Sequence, residues 1–352
     1  MRELPAQDGL EKFDIVTVIF KKEIPLLRLQ AISIRKFFPA QNLGKILIVV
    51  NDIDENGCTE ALKGMLPEYG DFATRVEIIR PDEIVKPPRN IRDRAKQWRV
   101  RHTFLRKKFR GWKGNRGWRC QQAFKLLAVS KARSDYVLIL DAKNWLTRIL
   151  SASDLVDSGR KPLTYLVEPM GKHREWARAS FAVLGGIYEG SPVSPTTTPC
   201  IYKRAFLADA LDHLEEKLGP IDYFFVRNRR GATEFMLLWA ISELKYRGWQ
   251  NVFSEGLAPC LATFRSSDKD RVESVLKQLD GSENTDSFCA AIHRDSFHLF
   301  SDDQNQRLMQ SWIDKGLFSS FEEANIVLDD LRSTKDQRRR DKPKNSSGAS
   351  HT

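Results

Sequence analysis

Asp14-Ile15-Val16-Thr17-Val18-Ile19-Phe20 is a nearly continuous apolar run close to the start of the chain. β-Branched residues favour extended backbone, and only one acid and one hydroxyl interrupt the apolar run. A half-solvated strand alternates polar and apolar side chains, whereas a continuous run suits a strand covered on both faces, as in a parallel sheet. Residues 24–38 follow with helical spacing and a proline, Pro25, near the start. Lys45-Ile46-Leu47-Ile48-Val49-Val50 then reads as a second buried strand that ends in Asn51-Asp52. Strand, helix and strand in this order form a βαβ unit, whose crossover is expected to be right-handed.

The alternation continues along the chain. Residues 59–65 predict a short helix, residues 75–79 a strand, and residues 120–131 an amphipathic helix with Phe124, Leu126, Leu127 and Val129 on its apolar faces. Asp135-Tyr136-Val137-Leu138-Ile139-Leu140-Asp141 predicts a further central strand. Together these predict an α/β protein with a Rossmann-like mixed sheet, mostly parallel and flanked by helices. Beyond Asp141 the order loosens. Strands are expected at 163–167 and 181–188, a Pro-, Thr- and Ser-rich loop at 191–199, and helices at 203–217, 233–246 and 321–331. The expected organisation is an N-terminal extension (1–12), one domain (13–331) with a basic, partly helical insertion (86–119), and a disordered basic tail (332–352).

Composition bounds the function. A chain of 352 residues allows one large α/β domain with additions, or about two domains. With 41% hydrophobic residues, eight Trp and twenty Phe, a sizeable core is available and general disorder is excluded. No run of roughly 18 apolar residues is present, and Met1-Arg2-Glu3-Leu4-Pro5 opens no secretory signal, so a cytoplasmic protein is expected. The five cysteines are far apart with no C-x-x-C pair, which argues against a zinc cage or disulfide framework. Net charge is +11, and residues 86–119 hold fourteen Lys or Arg against the single acid Asp93. Arg338, Arg339 and Arg340 form a second basic cluster. Such patches attract sugar-nucleotide diphosphates, anionic lipid at an inner membrane face, or nucleic acid, and a solvated basic face accounts for them as well.

In an open α/β sheet, ligands bind beyond the carboxyl ends of the strands. That rule selects residues 20–24, 51–54 and 141–144. Here Gly117-Trp118-Arg119-Cys120-Gln121-Gln122-Ala123-Phe124-Lys125-Leu126, followed by Tyr136 through Asp141-Ala142-Lys143-Asn144, resembles the GT-A-type glycosyltransferases of the DUF6492 group. Thr233-Glu234-Phe235 and Ala291-Ile292-His293-Arg294 sit where that group has further motifs, and the likeness runs loosely over residues 13–300.

The resemblance implies transfer of a sugar from a nucleotide-sugar donor to a hydroxyl of a glycan or lipid-linked acceptor. It implies a D-x-D-type motif at Asp141, where a divalent cation (Mn²⁺ or Mg²⁺) would neutralise the departing diphosphate, with His293 as a second metal ligand. The motif here reads Asp141-Ala142-Lys143, an ammonium in place of a carboxylate, so metal dependence stays an open question. By the same resemblance Asp52 faces the base, with Phe20, Lys21 and Glu23 beside it. Gln122, Lys125, Lys143, Asn144 and Arg294 contact the donor, while Glu234 contacts the acceptor or serves as base. Each has a plainer reading: a turn cap for Asp141 and Asp52, a helix-start acid for Glu234, a hydrogen-bonded structural histidine for His293. Trp118 offers a stacking surface or an interface side chain.

Other readings remain. A nucleotidyltransferase uses a similar sheet but usually a Gly-rich loop after the first strand, where this chain has Lys21-Lys22-Glu23-Ile24. A nucleic-acid binder would use the basic segment with Trp98, Phe104, Phe109, Trp112 and Trp118 for stacking. A transferase that binds donor without turnover fits the lysine at 143.

Overall fold

β1 (Phe13–Ile19) is buried along its whole length, as a strand in the middle of a sheet must be. The computed structural model describes residues 11–88, 90–101, 111–227, 231–264 and 266–340. It divides into two units, where a single domain over 13–331 was expected. The first comprises residues up to 261 with 286–291, the second residues 262–285 and those from 292 on.

In the first unit β1 leads into α1 (Ile24–Phe37), β2 (Leu43–Val50), α2 (Glu55–Met65), β3 (Val76–Ile79) and a single helical turn, α3 (Pro81–Ile84). α4 (Ile91–Arg101) lies in the basic segment, and α5 (Gly117–Leu127) leads to β4 (Tyr136–Asp141) and the short β5 (Asn144–Leu146). β6 (Leu163–Thr164), α6 (Lys172–Val183), β7 (Cys200–Lys203), α7 (Arg204–Leu218), α8 (Ile221–Arg227), α9 (Glu234–Leu244) and β8 (Ser254–Glu255) follow. β9 (Leu261–Thr263) carries the chain out of this unit, and β10 (Cys289–Ile292) begins where the chain has returned to it.

The main sheet has the order β3-β2-β1-β4-β7. β1 pairs parallel with both β2 and β4, β2 pairs parallel with β3, and β7 closes the edge antiparallel to β4. The expected mixed, mostly parallel sheet is therefore present, and the chain order reverses between β1 and β4. β5 pairs antiparallel with β10, so the chain leaves the main sheet immediately after Asp141.

Below this sheet a buried carboxylate ties three strand starts together. Asp14 accepts hydrogen bonds from the backbone N–H groups of Lys45, Arg133 and Ser134 and from the Ser134 hydroxyl. A buried acid is tolerated because its lone pairs are all engaged. Gly44 is required beside it: a Cβ there would stand 2.2 Å from both Asp14 Oδ1 and Ser134 Oγ.

α9 is buried almost all round, including Phe235, Met236, Leu237, Leu238 and Trp239, so it is a core helix and not a surface one. Trp239 stacks on Trp249 and Phe253, and Tyr202 and Phe206 extend the aromatic core. The strand expected at 181–188 is not found: α6 runs through Val183 instead. Ala177, Ser180 and Phe181 recur at helical spacing and are the buried face of that helix. The strand expected at 163–167 shortens to β6, which pairs parallel with β8.

The second unit holds α10 (Lys269–Leu279), α11 (Asp302–Asp314) and α12 (Phe321–Arg340). Ser301 and Gln304 form a capping box at the start of α11. Arg307 of α11 reaches Glu273 at 2.6 Å and Asp280 at 2.7 Å, tying α11 to α10 and its end. α12 continues through Arg340, past the expected boundary at 332. Lys, Gln and Arg are strong helix formers, so a polar composition alone does not end a helix. Residues 341–352 of the expected tail, and the 1–10 part of the N-terminal extension, lie outside the described residues.

Candidate active site

The carboxyl end of β4 sits where the strand order reverses, and Asp141 is its last residue. The turn after it is held from three sides. Gln30, a buried polar residue on the apolar face of α1, donates through Nε2 to the carbonyls of Asp141 (2.8 Å) and Asn144 (3.1 Å). Its Oε1 accepts from the Thr17 hydroxyl on β1 at 2.9 Å. Asn144 Oδ1 accepts from the Asp141 N–H at 2.7 Å and from the Thr198 hydroxyl at 2.6 Å, while Asn144 Nδ2 donates to the Thr198 carbonyl. The Asn144 side chain is fully buried and spent on these partners. It positions the turn.

Four charged side chains meet beside this turn. Lys125 projects from α5, and its Nζ lies 2.8 Å from Asp141 Oδ1 and 3.2 Å from Glu234 Oε1. Asp141 Oδ1 has no well-aligned hydrogen bond, so the Lys125 charge is what compensates it. Lys143 folds back from the turn and donates to Asp141 Oδ2. Lys125 also lies over the Phe235 ring at 4.9 Å. Its side chain is 6% exposed and that of Lys143 18%, so only the second reaches appreciably toward solvent. Lys125, expected at the donor, is committed to two carboxylates.

Charge compensation is unequal across the cluster. Burial opposes ionisation of Asp141, but the Lys125 and Lys143 ammoniums overcome it and hold its carboxyl far below the usual range. Burial likewise opposes the charge on Lys125, and the charges of Asp141 and Glu234 outweigh it, so its pKa lies above that of an ordinary lysine. Glu234 shares Lys125 with a nearer competitor. For it burial wins, and its pKa is raised. Two lysines and two acids thus give a neutral set in which Glu234 is the group readiest to bind a proton.

These residues do not fit a divalent cation. Both oxygens of Asp141 already face ammoniums, and among the described residues no group of three or more His, Cys, Asp or Glu side chains is arranged to hold a metal. A dication ~4 Å from one such ammonium would meet roughly 8 kcal/mol of repulsion at an effective dielectric of about 20. His293 and Arg294 belong to the second unit, where His293 Nδ1 accepts from the Asp295 N–H and caps the following turn. That is the structural role weighed for this histidine. His298, the other histidine near this turn in sequence, has a side chain outside the described ones.

The other expected residues divide. Asp52 accepts from the backbone N–H of Lys21 at 2.8 Å and of Asp54 at 3.0 Å, so it clamps the loops after β1 and β2. Lys21 Nζ pairs with Asp54 at the surface, 3.2 Å away, and Phe20 lies half-buried beside it. Gln122 is buried one turn before Lys125 and its Oε1 has no hydrogen-bond partner; Thr233 Oγ1, next to Glu234, is in the same state. Trp118, exposed one turn before Gln122, lies 6.0 Å from the Trp176 ring of α6. Helical spacing of four and three places Trp118, Gln122 and Lys125 on one face of α5.

Some cations of the basic segment have structural partners. Lys86 pairs with Glu215 and Asp212, Lys113 with Glu55 and Asp82, and Arg119 donates to the Val226 carbonyl. Residues 102–110, with Phe104 and Phe109, lie outside the described residues. No described helix is long and apolar enough to cross a membrane.

Residues 20–265 match the family described as Family of unknown function (DUF6492). The chain belongs to that family. No curated protein matches this DUF6492 chain in sequence. Among solved structures, a galactosyltransferase, LgtC, in complex with donor and acceptor sugar analogues is 13% identical with a TM-score of 0.44, covering 86% of this chain and 99% of that one. Mouse xyloside xylosyltransferase 1 is 12% identical with a TM-score of 0.43, covering 80% and 97%. The mannosyltransferase Ktr4p of S. cerevisiae is 14% identical with a TM-score of 0.36, covering 66% of each chain.

Proposed function

We propose that this DUF6492 protein is a glycosyltransferase that moves a sugar from a nucleotide-sugar donor to a hydroxyl of a glycan or lipid-linked acceptor. The observation that carries the reading is the meeting of Asp141, Lys143, Lys125 and Glu234 at the carboxyl end of β4, the place where an open α/β sheet binds its ligand. A cluster of paired charges there, next to unpartnered buried polar atoms, is what a site for a charged and hydroxyl-rich ligand requires.

In this mechanism the diphosphate leaves the anomeric carbon with the bonding electron pair, and the acceptor oxygen forms the new bond. The acceptor hydroxyl gives its proton to Glu234, whose raised pKa makes it a better base than an ordinary carboxylate. Asp141 stays ionised and keeps Lys125 beside Glu234, so that the protonated and unprotonated forms of the glutamate meet the same fixed charge. Gln122 and Thr233 supply unpaired oxygens for sugar hydroxyls, and the exposed Trp118 supplies a face for a pyranose ring. Asp52 holds the two loops that border the base, aided by Phe20 and Lys21.

The test is a melting-temperature screen against nucleotides and nucleotide-sugars, followed by a transfer assay with the donor that binds. A shift with one donor class, together with turnover lost in Glu234→Gln, is expected. Stabilisation by DNA or anionic vesicles and by no nucleotide would overturn the reading.

A further inference from the structure

We propose that the positive charge offered to the donor diphosphate is the Lys143 ammonium, so that donor binding needs no divalent metal. This rests on the transferase reading above, because it names what faces the diphosphate of that donor. A carboxylate that gathers a dication must turn at least one oxygen to it, and here one oxygen of Asp141 faces Lys125 and the other Lys143. No second carboxylate stands two residues on, because that position is Lys143 itself.

The two lysines differ in what they are free to do. Lys125 is enclosed, held between Asp141 and Glu234 and covered by the Phe235 ring. Lys143 is the more exposed, and its backbone lies in the turn fixed by Gln30, Asn144 and Thr198. An arriving diphosphate therefore meets a cation on a rigid base. Lys143 exchanges one anionic oxygen for another, and Asp141 keeps the Lys125 charge at 2.8 Å throughout. An ammonium is a point charge that pairs well with phosphate, whereas two cations on one carboxylate already oppose a third.

The experiment is calorimetric titration of the full chain with UDP and with GDP, once with EDTA and once with excess Mn²⁺. Equal affinity in both conditions is expected for whichever nucleotide binds. Lys143→Ala is expected to weaken binding by about tenfold or more in EDTA, from loss of a charge-assisted contact, with no rescue by Mn²⁺. Lys143→Arg should retain most of the affinity, and Lys143→Asp should bind only when Mn²⁺ is added. Binding by the unaltered protein that vanishes in EDTA and returns with Mn²⁺ overturns the inference and leaves the transferase reading standing. Absence of binding by either nucleotide in both conditions overturns the two together. The comparison in EDTA uses no variant, so misfolding of a variant does not blunt it.

Discussion

Glu234, buried, and Asp141, partly exposed, share the same lysine, yet their proton affinities are pushed in opposite directions. Glu234→Gln keeps the shape and removes the base, so turnover is expected to fall by about 10²–10⁴-fold while nucleotide affinity is retained. A parallel loss of affinity, measured by titration, would assign Glu234 to binding instead. Asp141→Asn leaves two ammoniums facing a neutral amide, and breaking a buried pair in this way costs about 3–5 kcal/mol. The pH dependence follows with its sign. Below about pH 4 the unfolded chain takes up a proton at Asp141 that the native chain refuses, so this residue's contribution falls as the pH falls, by about 1.4 kcal/mol per pH unit. Glu234 acts oppositely: the native chain holds its proton to higher pH, so its contribution falls as pH rises above the ordinary glutamate range. Denaturant melts between pH 2 and 5, expected to be shallower with pH in Asp141→Asn, check the first of these.

At the scale of elements, α1 does more than cover the sheet. Gln30 sits in the stripe formed by Leu26, Leu27 and Ile34, where an apolar residue would ordinarily stand. Gln30→Ala strands the Asp141 and Asn144 carbonyls and the Thr17 hydroxyl, at about 1–3 kcal/mol for each buried group left unpaired. A fall in melting temperature accompanied by weaker nucleotide binding is expected, since the turn loses its anchor. Gly44→Ala drives a methyl against Asp14 and Ser134 and should cost about 1–3 kcal/mol with nucleotide binding unchanged, a contrast that separates general stability from site geometry. The βαβ start was legible because apolar runs with β-branched residues carry their own period. Asp141 and Lys143 were legible as candidates from their place at a strand end, and Lys125 and Glu234 from the family resemblance. Which acid would hold which lysine was not, because Lys125 and Glu234 are 109 residues apart and only the packing of α5 against α9 brings them together. Gln30 was missed, although a lone amide on an apolar helix stripe was its signal. Residues 181–183 were misread as strand because a short apolar run has no period of its own to distinguish helix from strand.

For the whole molecule, the five cysteines give a probe that reaches every part of the first unit. All are free and buried, and burial pushes the Cys58 and Cys120 thiols up to about 12. A thiol that is neither exposed nor ionised reacts slowly. Native protein should therefore resist alkylation, with the five thiols appearing together as denaturant unfolds it; early reaction of one cysteine, located by mass spectrometry, would mark a region that opens by itself. The turn after β4 suggests a different use of the same architecture. Its backbone is fixed by an amide from one helix, an asparagine and a threonine, whose hydrogen bonds there run to backbone groups and to one another. The kind of charge presented there can therefore be exchanged without redrawing the scaffold. A single codon is enough to ask whether this frame will accept a metal, and a lineage could pass between the two chemistries through that one position.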